Sequence, residues 1–367
     1  MTSTLGIVTL SLQHEEEFTL QLAKAASAFD LEVVRFTPLD LKPASNLIQG
    51  QKYTGQGFTS VEFPIPDLIY DRCLYQHDTQ SKKAKPIMEW LKKYPKTAFL
   101  NTGLPNKMTL FEQLYLHPSL QPYLPVCSLL NEPSDLFNMV KRDGYCKMQP
   151  LSQQHAAPTY FIYLKDKSTF TVQLHDKQVI TFSRPSEVER WCRKYIGRYF
   201  LQFFNTSDQK DFLFNEIRIS LMKQSQNQWR RLGIHTKSPA ENSLLSNTQN
   251  SFHVLGFDHY LNSLQPDIKE LLLDDIVSIQ SSLPAYLDKS FSPCIEFAVD
   301  LLHTNEGKLF ISNVSSKPGR TSFLKAYPEK ENQLIEIILE HAQSTMSQPK
   351  EAPYEQKTFQ HRSSPHK

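Results

Sequence analysis

Residues 293–320 read PCIEFAVDLLHTNEGKLFISNVSSKPGR, and this stretch indicates the fold most clearly. Two largely apolar runs, Pro293–Leu302 and Lys308–Val314, stand on either side of the polar segment Thr304-Asn305-Glu306-Gly307. Apolar runs joined by a short turn that contains glycine are typical of a β-hairpin. We therefore predict an antiparallel hairpin near the end of the chain.

Two further predicted strands and a long helix precede this hairpin. Glu216–Lys223 and Gln228–His235 alternate as paired strands, each with one buried face. Ile268–Leu283 carries apolar residues at helical spacing, which predicts an amphipathic helix. These elements indicate an α+β arrangement for the second half of the chain.

The N-terminal region has a different pattern, in which strands and helices alternate. Leu5–Leu12 reads as a buried strand, Glu16–Phe29 carries helical apolar spacing, and Leu31–Phe36 reads as a second strand. This order is typical of a βαβ unit and predicts a parallel sheet. The alternation continues in three predicted elements: strand Asp67–Asp71, helix Ser81–Tyr94 and strand Thr97–Asn101.

The remaining predicted elements divide the chain into segments. Helices are predicted at Lys107–His117, Asp135–Arg142, Ser186–Tyr195 and Asn332–Gln343, and strands at Tyr145–Met148, Thr159–Leu164, Ser168–Leu174 and Gln178–Phe182. We predict an N-terminal α/β domain over residues 1–105, a central subdomain over 106–204 and a C-terminal subdomain over 205–345. Residues 346–367 are polar and lack apolar anchors, which predicts a disordered tail.

Composition excludes several classes of protein. The 367 residues include 40% hydrophobic residues, and the formal net charge is only +2, so no strong field favours nucleic acid. No run approaches the roughly 20 apolar residues that a membrane-spanning helix needs. The five cysteines are scattered and form no CxxC pair, which argues against both a disulfide framework and a zinc site. This cysteine usage fits a reducing compartment, and we expect a cytoplasmic protein.

Several segments occur in the order and spacing of one known family. The more specific ones are Tyr70-Asp71-Arg72 and Ser316-Lys317-Pro318-Gly319-Arg320. The others are Leu5-Gly6-Ile7-Val8, Pro66-Asp67-Leu68-Ile69, Phe99-Leu100-Asn101, Asn106-Lys107, Leu124-Pro125, Phe200-Leu201-Gln202, Phe214-Asn215-Glu216-Ile217-Arg218-Ile219 and Cys294-Ile295-Glu296-Phe297-Ala298-Val299-Asp300-Leu301. Over about residues 5–340, the chain resembles the YheC/YheD family of spore-coat-associated, ATP-grasp-like proteins.

The resemblance implies a fold and a set of ligands. The fold is the ATP-grasp architecture, in which an N-terminal α/β domain precedes two α+β subdomains that clamp a nucleotide between antiparallel sheets. The implied cofactors are ATP and Mg²⁺, with a strand lysine and a glycine-rich loop at the phosphates and with metal ligands on the final hairpin. The implied partners are spore-coat proteins.

The metal end of this implied site is altered. Asp300 matches the aspartate that opens the final hairpin, but the family's glutamate on the return strand falls on Asn313, and its asparagine falls on Ser315. Mg²⁺ prefers hard, anionic oxygen ligands. Losing one carboxylate opposite a cation costs on the order of 4 kcal/mol at an effective dielectric constant of about 20. We therefore expect these three residues to form a weakened metal site.

The phosphate end is altered as well. The family's Lys-Pro pair aligns with Gln149-Pro150, and Lys147 lies two residues earlier on the same strand face as a substitute cation. The loop that follows, Leu151–Pro158, contains no glycine, although glycine allows the backbone to approach phosphates most closely. The resemblance implies that Gln202 and Lys317 also contact the nucleotide.

Arg218 is the predicted catalytic residue. In the family's Asp-Ile-Arg motif Glu216 replaces the aspartate, whereas Arg218 remains. Its guanidinium is suited to a phosphate or acyl-phosphate oxygen. The alternatives are a structural role for Arg218 and a turn-stabilising role for Asp300.

Three functions follow from these residues. The first is a non-catalytic protein of the spore coat, derived from an ATP-grasp enzyme. The second is an ATP- and Mg²⁺-dependent carboxylate–amine ligase that works through an acyl phosphate. The third is a nucleotide-binding module without turnover. The altered metal and phosphate positions favour the first function over the second, and Asp300, Arg218, Gln202 and Lys317 keep the third open.

Overall fold

The computed structural model describes most of the chain. It covers residues 3–42, 45–75, 78–151, 158–165, 169–174, 179–205, 215–224, 227–239, 252–291 and 293–347. Residues 152–157 of the predicted phosphate loop lie outside these ranges, as does the predicted tail from residue 348 onward. In the described part of the chain, no helix is both long and apolar enough to cross a membrane.

The N-terminal sheet is built around the predicted βαβ unit. Its described strands are β1 (Ser3–Val8), β2 (Leu31–Phe36), β3 (Leu41–Lys42), β4 (Leu47–Tyr53), β5 (Phe58–Pro64), β6 (Leu68–Asp71) and β7 (Ala98–Phe99). Their order is β3-β4-β2-β1-β6-β7, with β5 paired to β4. The pairs β1–β2, β1–β6 and β6–β7 are parallel, as predicted. Strands β3 to β5 add antiparallel pairs, so the sheet is mixed.

Helices cover this sheet because each has one apolar face. Helix α1 (Glu16–Ala25) buries Phe18 and Leu22, and it continues as a short 3₁₀ turn to Phe29. Helix α2 (Thr79–Lys92) begins where Asp78 accepts a hydrogen bond from the Ser81 backbone N–H at 2.6 Å, a common N-cap. The carboxyl ends of the parallel strands β1 and β6 lie at the same edge of the sheet. The loops that follow them carry Glu15 and Arg72.

All described strand pairs of the central sheet are antiparallel. Helix α3 (Lys107–Leu114) leads into it, and its described strands and helices are β8 (Val126–Leu129), α4 (Pro133–Asp143), β9 (Tyr145–Pro150), β10 (Tyr160–Leu164), β11 (Phe170–Leu174), β12 (Val179–Phe182), α5 (Pro185–Cys192) and β13 (Tyr199–Phe203). The strand order is β12-β11-β10-β9-β13-β8. Cys146 and Met148 of β9 face a core formed with α4 and α5. Alternation along β9 therefore turns Lys147 and Gln149 to the opposite face.

The C-terminal sheet contains the predicted hairpin. Its described elements are β14 (Asn215–Lys223), β15 (Trp229–Pro239), β16 (Phe252–Gly256), α6 (Phe257–Asn262), α7 (Pro266–Phe291), β17 (Glu296–His303), β18 (Leu309–Ser315), α8 (Thr321–Ala326) and α9 (Glu331–Ser347). The strand order is β16-β15-β14-β17-β18. One face of β14 and β17 packs with α7 in a core that includes Ile219, Val299 and Ile276. Their other face carries the polar residues of the site.

The predicted strands and helices are found in the structure, mostly with shifted bounds, but several observed elements are absent from the prediction, namely β3 to β5, β8, β13, β16, α6 and α8. The predicted strand Leu31–Phe36 is confirmed with the same bounds, and the hairpin of β17 and β18 is confirmed. Residues 41–64, where no strand is predicted, form β3 to β5. In β5 only Phe63 is buried, so the sequence lacks the apolar alternation that would reveal this strand. The last helix also extends to Ser347, two residues into the predicted tail.

Candidate functional site

The central sheet brings three of the predicted nucleotide residues together. Gln202 of β13 lies directly opposite Lys147 of β9, and both point to the same face as Gln149. The Gln149 Nε2 group donates a hydrogen bond to Gln202 Oε1. The same two amides donate to the Ser312 carbonyl of β18, over 3.3 Å from Gln149 and 3.4 Å from Gln202. The polar face of the central sheet therefore meets the C-terminal hairpin at this carbonyl.

A fourth side chain, Lys107, joins this group from the start of α3. Asn106 caps the helix by accepting a hydrogen bond from the Thr109 backbone N–H at 3.0 Å. The Lys107 backbone N–H donates to the Leu151 carbonyl at 2.8 Å, which ties the helix start to the end of β9. Its ammonium donates to Gln149 Oε1 at 3.0 Å. Gln149, at the position where the resemblance predicts a lysine, is thus in contact with another lysine.

Lys107 and Lys147 are buried cations. Their relative exposures are 9% and 7%, and no carboxylate of the described residues lies within ion-pair distance of either ammonium. Burial and, to a smaller extent, the nearby Lys147 lower the pKa of Lys107 to about 8, and Asp300 and Glu216 partly oppose them. Burial likewise lowers the pKa of Lys147. Two desolvated ammonium groups therefore lie at the junction where the polar face of the central sheet meets the C-terminal hairpin.

The predicted catalytic arginine is paired with the predicted metal ligand. Arg218 of β14 lies opposite Asp300 of β17. The Arg218 Nε and Nη2 groups donate to the two Asp300 carboxylate oxygens at 2.5 and 2.8 Å, which is a bidentate ion pair. Burial acts to raise the pKa of Asp300, but Arg218 and then Lys237 outweigh it and hold the pKa well below its usual range.

A second ion pair lies beside the first on the same sheet face. Lys237 of β15 is directly opposite Glu216 of β14. Its ammonium lies 3.2 Å from Glu216 Oε1 and 3.9 Å from Asp300 Oδ1. Both carboxylates therefore point toward one ammonium. His235, which lies opposite Arg218, is fully buried and neutral, because burial, Lys237 and Arg218 lower its pKa to about 3.

The other two predicted metal residues differ in their surroundings. Asn313 Nδ2 donates to Asp300 Oδ2 at 3.0 Å, and Asn313 Oδ1 is buried with no hydrogen-bond partner among the described residues. The Ser315 hydroxyl oxygen accepts a hydrogen bond from the Lys317 backbone N–H at 3.2 Å. Only Asn313 is thus joined to Asp300 directly. Among the described residues, no three His, Cys, Asp or Glu side chains are grouped closely enough to hold a metal.

Lys317 lies apart from the other predicted nucleotide residues. Its ammonium is 2.6 Å from Asp71 Oδ2 and donates to the Cys73 carbonyl at 3.4 Å. Asp71 is fully buried at the end of β6, and Lys92 is 3.8 Å from the same oxygen. Lys317 therefore connects the loop after the hairpin to the N-terminal sheet.

The strongest link between the N-terminal sheet and the C-terminal sheet is centred on Arg72. Its guanidinium donates to both Glu15 oxygens at 3.0 and 2.7 Å, to Glu296 Oε1 at 2.9 Å and to the Pro318 carbonyl at 2.7 Å. Glu296 also forms an ion pair with Arg320 at 3.3 Å. Arg72 and Glu296 are only 2% and 1% exposed. The motifs around Arg72 and Arg320 thus meet in one buried network.

The sequence pattern missed two members of the site, Lys107 and Lys237. Lys107 is part of a quoted motif, but nothing in its neighbourhood predicts contact with a strand 42 residues away. Lys237 falls two residues after the predicted end of its strand. Continuing the alternation of that strand by two positions would have placed Lys237 on the face of His235 and opposite Glu216.

Comparison with known proteins identifies the family of this chain. Residues 96–344 match the family model described as YheC/D like ATP-grasp. The endospore coat-associated protein YheC of Bacillus subtilis (strain 168) is 34% identical over 352 residues, covering 94% of this chain and 96% of that protein. The predicted resemblance to this family is therefore confirmed.

Solved structures show the same fold at much lower identity. D-alanyl-alanine synthetase A from Vibrio cholerae is 12% identical with a TM-score of 0.55, and the match covers 95% of this chain and 100% of that one. D-alanine–D-alanine ligase from Bacillus anthracis is 13% identical with a TM-score of 0.55, and coverage is 94% and 97%. These likenesses confirm the predicted ATP-grasp fold. By its family match and its relative, the chain belongs to the YheC/D-like ATP-grasp family.

Proposed function

We propose that this protein is a non-catalytic member of its family, made in the cytoplasm, that acts through contacts with other proteins of the spore coat. The supporting observation is the state of Asp300, the carboxylate on the hairpin at the predicted metal position. Arg218 occupies both of its oxygens, and Asn313 donates to one of them. A Mg²⁺ ion at Asp300 would have to compete with a bidentate arginine for both carboxylate oxygens.

The chemistry of the donor set supports the same proposal. Mg²⁺ requires near-ideal octahedral oxygen coordination and is usually held by one or two carboxylates together with substrate phosphates. Asn313 and Ser315 contribute no negative charge, and the Ser315 hydroxyl oxygen is engaged by the Lys317 backbone. Phosphoryl transfer depends almost entirely on positioning and charge stabilisation, which such a site supplies poorly. The ligase function is therefore the weaker proposal.

The coat association is proposed from the relative. The Bacillus subtilis protein is named as endospore coat-associated, and it matches this chain over nearly its full length. We expect a fluorescent fusion of the present protein to gather at the forespore surface in sporulating Bacillus subtilis. We expect Asp300→Ala to leave this pattern unchanged, because the proposed role needs no metal. Diffuse fluorescence of the unmodified fusion would contradict the coat role, and loss of the pattern in Asp300→Ala alone would contradict its independence from the site.

A second candidate, nucleotide binding without turnover, is favoured by Lys107 and Lys147. Leaving two ammonium groups buried without a carboxylate is costly, and a phosphate chain would supply the missing negative charge. We expect ATP to bind with a dissociation constant weaker than about 1 µM and with little dependence on Mg²⁺. Calorimetric titrations with Mg²⁺ and with EDTA test this expectation. Sub-micromolar binding that requires Mg²⁺ would contradict it.

Turnover is tested in the same samples. We expect no ADP above background from ATP, Mg²⁺ and mixtures of amino acids or peptides, whereas the Bacillus anthracis D-alanine–D-alanine ligase, assayed with D-alanine, provides a positive control. ADP release by the unmodified protein that disappears in Arg218→Ala would overturn the non-catalytic proposal.

The pKa of Lys107 gives this binding a defined pH dependence. A phosphate contact needs the protonated ammonium, so bound anion favours proton uptake by Lys107. With a pKa of about 8 in the free protein, Lys107 is mostly charged at pH 7 and about one-tenth charged at pH 9. We expect affinity for inorganic tripolyphosphate to fall by up to roughly tenfold between these pH values. Lys107→Met should bind more weakly and lose most of this dependence; a profile equal to that of the unmodified protein would contradict the assignment.

A further inference from the structure

The sheet face around Asp300 contains a cation that the protein itself supplies. Lys237 lies between Glu216 and Asp300, with its ammonium 3.2 and 3.9 Å from one oxygen of each. Glu216 and Asp300 are on neighbouring strands, β14 and β17, two residues apart in register. The ammonium thus stands where two acidic groups of the sheet converge.

These charges are largely removed from water. The side chains of Lys237, Glu216 and Asp300 are 12%, 19% and 5% exposed. Opposite charges attract more strongly in such surroundings than at a wet surface, and they are less screened by salt. An incoming divalent cation would meet a carboxylate pair that Lys237 and Arg218 already neutralise.

We propose that Lys237 is a fixed replacement for the divalent cation, so that the junction of the central sheet and the hairpin binds a polyphosphate chain without metal. This inference rests on the proposed loss of metal use at Asp300. A lysine ammonium binds phosphate as a compact point charge with three donors. It neutralises phosphate oxygens but offers no open coordination positions, which agrees with binding in the absence of turnover.

The charge count of the site specifies the class of ligand. Four cations, Arg218, Lys237, Lys107 and Lys147, accompany two carboxylates, Glu216 and Asp300, which leaves an excess of two positive charges. An excess of this size suits a di- or triphosphate better than a monoanion. The pKa values of both Lys107 and Lys147 respond to Glu216 and Asp300, so the cations belong to one electrostatic unit.

The inference predicts that removing Lys237 creates a metal site. In Lys237→Gln, Glu216 loses its ammonium partner while Arg218 remains beside Asp300, so the local negative charge rises, and we expect the full-length variant to gain Mn²⁺ binding at Glu216 and Asp300 in the absence of any nucleotide. The unmodified protein and Lys237→Arg should bind at least tenfold more weakly. Lys308→Gln is the matched control, because the Lys308 ammonium is paired with the Glu306 carboxylate at 3.3 Å in the turn between β17 and β18. Free Mn²⁺ is measured by its electron paramagnetic resonance signal.

A companion titration uses inorganic tripolyphosphate in EDTA. We expect binding by the unmodified protein, about tenfold weaker binding by Lys237→Gln, and recovery of that variant's affinity when Mg²⁺ replaces EDTA. Mn²⁺ binding by the unmodified protein as tight as by Lys237→Gln would overturn the inference, as would a Lys237→Gln variant that folds by circular dichroism and binds no Mn²⁺. If Lys237→Gln does not fold, the inference is tested by Mn²⁺ titration of the unmodified protein and of Lys237→Arg. Tight Mn²⁺ binding by either protein would then overturn it. The Mn²⁺ and tripolyphosphate titrations depend on neither ADP release nor coat localisation. A failure of this inference can therefore be distinguished from a failure of the proposed function.

Discussion

Replacing Arg72 with methionine is expected to destabilise the protein by about 3–5 kcal/mol, because two buried carboxylates lose their main partner. Arg72 makes hydrogen bonds to both oxygens of Glu15 and to Glu296, and Glu296 is 1% exposed. A buried charge left without its partner keeps its desolvation cost and loses the compensating attraction. The free energy of unfolding in urea, measured at pH 7, tests this prediction.

A matched control separates burial from charge. Lys42→Met removes an ammonium that also contacts a glutamate, Glu62, but the two side chains are 54% and 39% exposed. Exposed pairs of this kind typically contribute about 0–1 kcal/mol. The unfolding free energy of Lys42→Met should therefore stay close to that of the unmodified protein. If the unfolding free energy of Arg72→Met equals that of the unmodified protein, the network does not hold the two sheets together.

The same network makes stability depend on acid in a predictable direction. Burial acts to raise the pKa of Glu15, but Arg72 and Arg320 outweigh it and hold the pKa at about 2, against an ordinary value of 4.5. Because the folded-state pKa is depressed, the stabilisation from Glu15 is complete above about pH 4.5 and is lost as the pH falls toward 2. Arg72→Met should flatten the slope of unfolding free energy in this range.

The second prediction with a large expected effect concerns the two buried lysines, Lys107 and Lys147. Lys107→Met combined with Lys147→Met is expected to weaken tripolyphosphate binding by roughly 10²–10⁴-fold. Each hydrogen bond to a charged group contributes about 1.5–3 kcal/mol, and 1.4 kcal/mol is tenfold in affinity. Calorimetry at pH 7 in EDTA measures the change.

The same double variant should lose affinity without losing stability. The pKa of each lysine is lowered mainly by burial, which means that the folded protein disfavours their charged forms. Methionine fills a similar volume without that cost, so the unfolding free energy should be unchanged or higher. The exposed pair Lys42→Met and Lys308→Met is the control, and we expect it to keep its tripolyphosphate affinity. Unaltered affinity in the Lys107 and Lys147 variant would refute the phosphate assignment.

Much of the fold follows from local sequence patterns. The alternation of apolar strands with amphipathic helices at the N terminus predicts the parallel pairs β1–β2 and β1–β6, and the turn at Thr304–Gly307 predicts the final hairpin. Alternation also places Lys147 and Gln149 on one strand face. These features are local, because they depend on the period of a strand or helix and on the residues that form turns.

The edge strands of the N-terminal sheet are different. Strand β5 exposes most of its side chains, so its sequence carries no apolar alternation. Its position is specified by pairing with β4, where Gly50 fits closely against Phe63: a Cβ added at Gly50 would lie 2.8 Å from the Phe63 ring. A strand that is stabilised mainly by pairing with its neighbour can be recognised only from the tertiary structure.

The sequence by itself determined the family and the final hairpin that carries Asp300, Asn313 and Ser315. Tertiary structure alone decided which charges meet: Asp300 with Arg218 and Lys237, Lys107 with Gln149, and Lys317 with Asp71. The physical reason is that charge strength depends on burial and distance, and both are set by strand register and sheet packing between residues far apart in sequence. The local sequence around a lysine does not indicate whether its ammonium is solvated or is buried beside a carboxylate.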